Sequence, residues 1–256
     1  MHLRRQLVGL VAAAIAVPGL LVATSQNAVA APIALVQQSS SGTFNAGAHT
    51  NTINLTNPPA VGSLLVLVFR NGTDANDVSS VSGGGVTWAK AQSWTTPTIG
   101  DIWYGAGSTG VGTAITINLT GAPTELYSSG VSEWSGVATT NPLDGAPAVT
   151  TGTSATPTTP SITPAAPGEL FVGLISSAGS FNPPPGAVGG GFTQLGLAGN
   201  NGAGYLIASD ASAHAMSWTT TTSAAFTAGL VSFEPASASP APGPAPGPVI
   251  TPMFTG

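Results

Sequence analysis

Nine carboxylates, two histidines beyond residue 30 and a group of tryptophans are the side chains here that could do chemistry. Glycoside hydrolysis needs two carboxyl groups about 5–5.5 Å or about 6.5–9.5 Å apart across the scissile bond. Glu125 and Glu133 share one face of an expected strand, but eight residues at about 3.3 Å each put them about 26 Å apart. A hydrolase would therefore have to use Glu133 with Asp101 or Asp144. In a structural role, Glu133 would pair with Arg70 or Lys90, or face solvent. A serine nucleophile on a sharp strand-to-helix turn needs G-x-S-x-G. The segment Gly130-Val131-Ser132-Glu133-Trp134 ends in Trp and continues as a strand. His49 and His214 belong to no motif. The absence of cysteine removes thiolate catalysis, disulfides and cysteine metal sites. The triple-glycine runs at 83–85 and 189–191 lack the Lys-Ser/Thr of a phosphate loop and precede strands, so they read as turns. No catalytic residue is assigned, and the chain leans away from being an enzyme.

Two constellations point to binding. Trp88, Trp94, Trp103 and Tyr104 crowd into the first half of the chain, whereas the second half keeps only Tyr205 clearly. Aromatics confined to one half suit a platform on which the apolar C–H faces of sugars stack; the competing use is core packing, because Trp buries a large apolar area. The run Asn71-Gly72-Thr73-Asp74-Ala75-Asn76-Asp77 is rich in oxygen. Asp74, Asn76 and Asp77 could supply calcium ligands, although the twelve-residue loop with its terminal Glu is missing. As a polar turn the same residues need no metal.

The elements that would position these groups are strands. Short Val/Ile/Leu/Thr/aromatic runs alternate with Gly/Pro/Asn/Ser clusters. They predict strands near 33–38, 51–56, 63–70, 86–92, 100–105, 113–119, 125–135, 145–150, 158–163, 169–177, 192–198, 203–209, 213–219 and 225–234. Leu64 to Phe69 is apolar on both faces and reads as a central strand covered twice. An internal match accompanies the pattern. Gly62-Ser63-Leu64 aligns with Gly168-Glu169-Leu170, and Gly83-Gly84-Gly85 with Gly189-Gly190-Gly191, both at an offset of 106 that drifts to about 100 further on. The reading is all-β: a jelly-roll-like β-sandwich at 31–235 built from two internal copies, 31–138 and 139–235. The short junction Ser135 to Asp144 favours one compact domain over two tandem sandwiches of immunoglobulin size.

The ends differ from this body. Arg4-Arg5, the apolar run Leu7 to Ala23 and Ala28-Val29-Ala30 have the order of a cleaved signal peptide, residues 1–30. The run is short and broken by Pro18-Gly19, so no membrane span is expected in the mature form. Removal of the leader takes two of the four basic residues, leaving Arg70 and Lys90 against nine acids, a net charge of −7. Two cations cannot neutralise a run of phosphates, which excludes nucleic acid as a partner. Residues 236–256 form a tail rich in Pro, Ala and Gly, an extended spacer. Charged residues make up 5% of the chain against 42% hydrophobic, so the surface must be Ser, Thr, Asn and Gly.

The phrases Ser132-Glu133-Trp134-Ser135-Gly136-Val137 and Thr140-Asn141-Pro142-Leu143-Asp144-Gly145, with Gly83 to Trp88 and Ile102-Trp103-Tyr104, carry a resemblance. The chain resembles a β-sandwich module common in exported bacterial proteins, notably actinobacterial ones, and in some phage-associated proteins. The resemblance implies export, a jelly-roll-like fold and a lean toward glycan or surface binding; the family has no settled catalytic residues. The function expected is a secreted, non-catalytic module for glycan, cell-surface or matrix material. A structural or adhesive surface protein and a carbohydrate-active hydrolase are the alternatives.

Overall fold

The computed structural model describes residues 30–41, 47–71, 76–122, 128–178, 188–196 and 202–237, which belong to one compact unit. The stretch read as a signal peptide, nearly all of the Pro-rich tail, Asp74 and Glu125 lie outside the described residues. Fifteen strands and no helix occur among those described.

The first half opens with β1 (Ala34–Ser41), β2 (Thr50–Asn54), β3 (Leu64–Asn71) and β4 (Val78–Gly83). It continues with β5 (Ala89–Trp94), β6 (Ile99–Gly105), β7 (Ala114–Leu119) and β8 (Ser128–Ser135). They form a five-stranded antiparallel sheet, β1-β8-β3-β6-β5, and a three-stranded one, β2-β7-β4. First strand beside last, with the remainder alternating between two sheets, is jelly-roll winding. The second half comprises β9 (Leu143–Ser154), β10 (Leu170–Ser177), β11 (Val188–Gly189), β12 (Thr193–Gln194), β13 (Gly202–Ile207), β14 (Ser217–Trp218) and β15 (Ala224–Phe233). Its large sheet, β9-β15-β10-β13-β12, repeats the first strand for strand, and β11-β14 forms the small one. Isolated bridges Thr158–Ser217 and Ile162–His214 stand where β2 stands in the first half. Among the described residues no sheet mixes strands of the two halves. The all-β sandwich expected from the sequence is what the structure shows, each sheet drawn from one half and the whole fused in one compact body.

Burial explains the fusion. Sheet residues alternate between faces, and both faces of each large sheet are apolar. Leu64, Val66, Val68, Ile102 and Trp134 pack against Leu170, Val172, Leu174, Val231 and Phe233 in a core between the two large sheets. On the other face of the first, Leu65, Leu67, Phe69 and Trp103 meet Ile53, Val81, Ile115 and Ile117 of the small sheet. A third core, with Phe171, Ile175, Met216 and Trp218, closes the second half. Four layers result, and β3 and β10 are covered on both sides, as the double-faced hydrophobicity of 64–69 requires. The central contacts are reciprocal. Tyr104 packs on Phe233 at 5.7 Å between ring centroids, and Tyr205 on Trp134 at 4.8 Å. In register, Val66 faces Tyr104 just as Val172 faces Tyr205.

Hydrogen bonds cross the layers at one end. Thr98 Oγ1 donates to the Ser176 carbonyl at 3.1 Å, Ser176 Oγ to the Ile99 carbonyl at 3.0 Å, and the Arg70 guanidinium to the Ser177 carbonyl. At the opposite end the beginning and end of the body meet. The Ala236 N–H bonds the Gly136 carbonyl at 2.8 Å, and Val137 bridges to Pro235. Gly136 has φ +73, and a Cβ there would collide with the carbonyls of Ala31 and Pro32, so only glycine suits the crossing.

Candidate functional site

The four aromatics expected to form one platform do not share a face. Trp94 is 7% exposed and points into the core between the large sheets, lying over Gly100 and Gly229, whose missing side chains make room for the indole. Tyr104 is half-buried in that same core. Trp103, next along β6, points the other way and is 8% exposed. Trp88 precedes β5, is half-buried, and donates its Nε1–H to the Gly83 carbonyl at 3.0 Å. Trp88 alone among them sits in a loop cluster at the molecular surface.

Lys90 organises the edge of the first sandwich. Its ammonium lies 3.1 Å from Asp101 Oδ1, 3.3 Å from Asp77 Oδ2 and 5.1 Å from the centre of the Trp103 ring. A bulge between Lys90 and Gln92 sets both Lys90 and Ser93 on the same face, opposite Trp103 and Asp101. Asp101 is fully buried; its second oxygen accepts the Val78 N–H at 3.0 Å. Burial pushes its carboxyl above the usual range, against the Val78 N–H and Lys90, which pull it down. Of the loop expected to hold calcium, Asp77 is spent on Lys90, Asn76 donates its amide to the Ala122 carbonyl at 3.3 Å, and Asp74 is outside the described residues. No group of three or more metal-ligating His, Asp or Glu side chains occurs among the described residues.

Glu133 pairs with neither Arg70 nor Lys90. It is fully buried, on the outer face of the first large sheet, at the end where β3 begins. Oε1 accepts the Ala60 N–H at 2.7 Å and lies 2.9 Å from the Ser63 hydroxyl; Oε2 accepts the Gln37 amide at 2.6 Å. The carboxylate thereby fastens the 57–62 loop. The equivalent place in the second half exchanges the two groups: Glu169 stands at the Ser63 position, 106 residues on, and Ser232 at that of Glu133, 99 residues on. Glu169 Oε1 accepts the Ala166 N–H at 3.0 Å, and Asp144 Oδ2 accepts the Ala165 N–H at 3.0 Å. Glu133 could be singled out from sequence; Glu169 could not, because its significance lies in Asp144, which the fold brings beside it from β9.

The remaining feature is a tip that sequence reasoning missed. Loops 59–63, 83–88 and 107–113 converge at one end of the first sandwich. Gly62 N–H bonds the Ser108 carbonyl at 2.8 Å, Ser108 N–H the Ser63 carbonyl at 3.0 Å, Thr109 N–H the Gly85 carbonyl at 3.0 Å, and Ser108 Oγ the Gly84 carbonyl at 2.8 Å. Gly84, Gly85 and Gly110 hold positive φ. On this stitched base Val61 is 82% exposed and Val111 60%, each beside a glycine (Gly110 and Gly85). The signal available was the glycine density, which marks tight turns but not which turns meet.

Comparison with protein-family models, with curated proteins and with solved structures finds no match for this chain.

Proposed function

We propose that this chain is an exported, non-catalytic binding module that contacts glycan or other cell-envelope material through the tip of its first sandwich. The observation that carries the reading is the exposure of Val61 and Val111 on loops locked by backbone hydrogen bonds, with the half-buried Trp88 in one of those loops. Apolar side chains held out on a rigid base lose little entropy on binding, and preorganisation of this kind raises affinity. Loops gathered at the end of a sandwich are where such folds carry recognition. The leader-like first thirty residues and the Ser/Thr surface support an extracellular setting. The buried acids support a non-catalytic role, since Glu133 is held by three donors and Asp101 by Lys90 and Val78.

The test is polysaccharide and cell-envelope pull-down, with a glycan array, on the wild type, a Val61→Ser/Val111→Ser double variant and Trp88→Ala. Loss of about tenfold or more in affinity at unchanged melting temperature is expected for the first variant, in line with truncation of hot-spot contacts. Equal binding by all three proteins removes the tip. Large assemblies by light scattering with no glycan affinity would favour the structural or adhesive reading instead.

A further inference from the structure

The two sandwiches fasten the loop before their third strand with the same three positions but different chemistry. In the first half, Gln37 on β1 lies opposite Glu133 on β8 and donates an amide hydrogen to it at 2.6 Å. Both oxygens of that carboxylate have hydrogen-bond partners. In the second half, the residue opposite Ser232 on β15 is Asp144. An acid therefore stands where the first half has an amide, and the carboxylate across from it is Glu169. Successive peptides bind the two acids, Ala165 to Asp144 and Ala166 to Glu169, which draws the carboxyls together. Glu169 is 1% exposed, and no N–H or O–H of the described residues reaches its Oε2.

We propose that Asp144 and Glu169 share one proton, forming an acid latch that fastens the 163–168 loop to the start of β9, closed when the proton is bound and weakened when it is lost. Two adjacent carboxyls cannot both ionise without strong mutual repulsion. A proton on Glu169 Oε2 would donate to Asp144 and satisfy the one buried oxygen that lacks a donor. Burial first, then hydrogen bonding to Asp144 and its charge, raise Glu169 to about 7 from an ordinary 4.5, against the Ala166 N–H. The other titratable groups on the packed elements do not offset this. Glu234, at the end of β15, is exposed. His214 rests on the Phe171 ring further along the face and lies 3.5 Å from Asp210, while residues 163–168 carry no charge.

The sign follows. Below about 4.5 the folded and unfolded chains both carry the proton. Between about 4.5 and about 7 the folded chain keeps a proton that the unfolded chain gives up, so stability falls as pH rises across that window and then levels. Asp144→Asn installs the amide that the first half uses and takes away the Asp144 contribution, so it should reduce this fall. Thermal unfolding across the window is compared for wild type, Asp144→Asn and Glu169→Gln, with the infrared carbonyl stretch of a protonated carboxyl recorded near the middle. The expected result is a wild-type melting temperature that declines relative to Asp144→Asn as pH rises, together with a protonated-carboxyl band that Glu169→Gln abolishes. A flat difference between wild type and Asp144→Asn, or a wild-type band unaffected by either substitution, would overturn the latch. If Glu169→Gln fails to fold, Asp144→Asn still supplies both readouts.

Discussion

Lys90 is one of two basic residues after residue 30, and both are used inside the body. Asp101 is buried with Lys90 as its only cation, so removing the ammonium strands a charge that desolvation already disfavours. Lys90→Ala should cost about 2 kcal/mol, between the scales of exposed and buried pairs, because Asp101 is buried while the Lys90 side chain is 31% exposed. Chemical denaturation checks this, and the companion Lys90→Ala/Asp101→Asn should recover much of the loss. A cost no greater than that of an exposed pair, below about 1 kcal/mol, would show that the ion pair is incidental. The sequence displayed the scarcity of cations. It could not display this pairing, because a bulge in β5 sets Lys90 and Ser93, of opposite parity, on one face.

Elements were legible where burial follows simple alternation. β3, β6, β7, β8, β10 and β15 lie close to their expected ranges. β4 was missed for a reason that the ladder explains. Val78-Ser79-Ser80-Val81 has its apolar residues three apart, which is wrong for a regular strand, and a register shift between Val78 and Ser80 turns both valines inward. β9 ran further than expected because its second half, Thr150 to Ser154, carries no apolar pattern and is held by pairing with β15. The tryptophan cluster was visible as residues but not as surfaces, since adjacent positions on β6 face opposite layers. Trp94 therefore belongs to packing: Trp94→Ala should cost about 3–5 kcal/mol by leaving a cavity over Gly100 and Gly229. Calorimetry would check it. A variant that melts like wild type would mean that the indole does not fill that core.

For the whole molecule, the core between the large sheets makes each half dependent on the other. Expressed alone, residues 31–138 would leave Leu64, Val66, Val68, Ile102 and Trp134 uncovered. A patch of that kind drives association in water, so the isolated half should self-associate, and co-expression with 139–237 should restore a one-to-one complex. Sedimentation velocity distinguishes the outcomes; a soluble monomer would show that the two sandwiches are independent. The internal offset of 106 was legible in the sequence. Which faces meet was not, because double-sided hydrophobicity says only that a strand is covered twice.

The meeting of Ala31, Gly136 and Ala236 at one end has a mechanical corollary. A load carried through the polypeptide would enter and leave at neighbouring points, so it would pull β1 and β15 away from the same end. Their ladder bonds would then open in sequence, as a zipper does, instead of sharing the force in shear. Such a body would yield to tension applied at its two ends strand by strand.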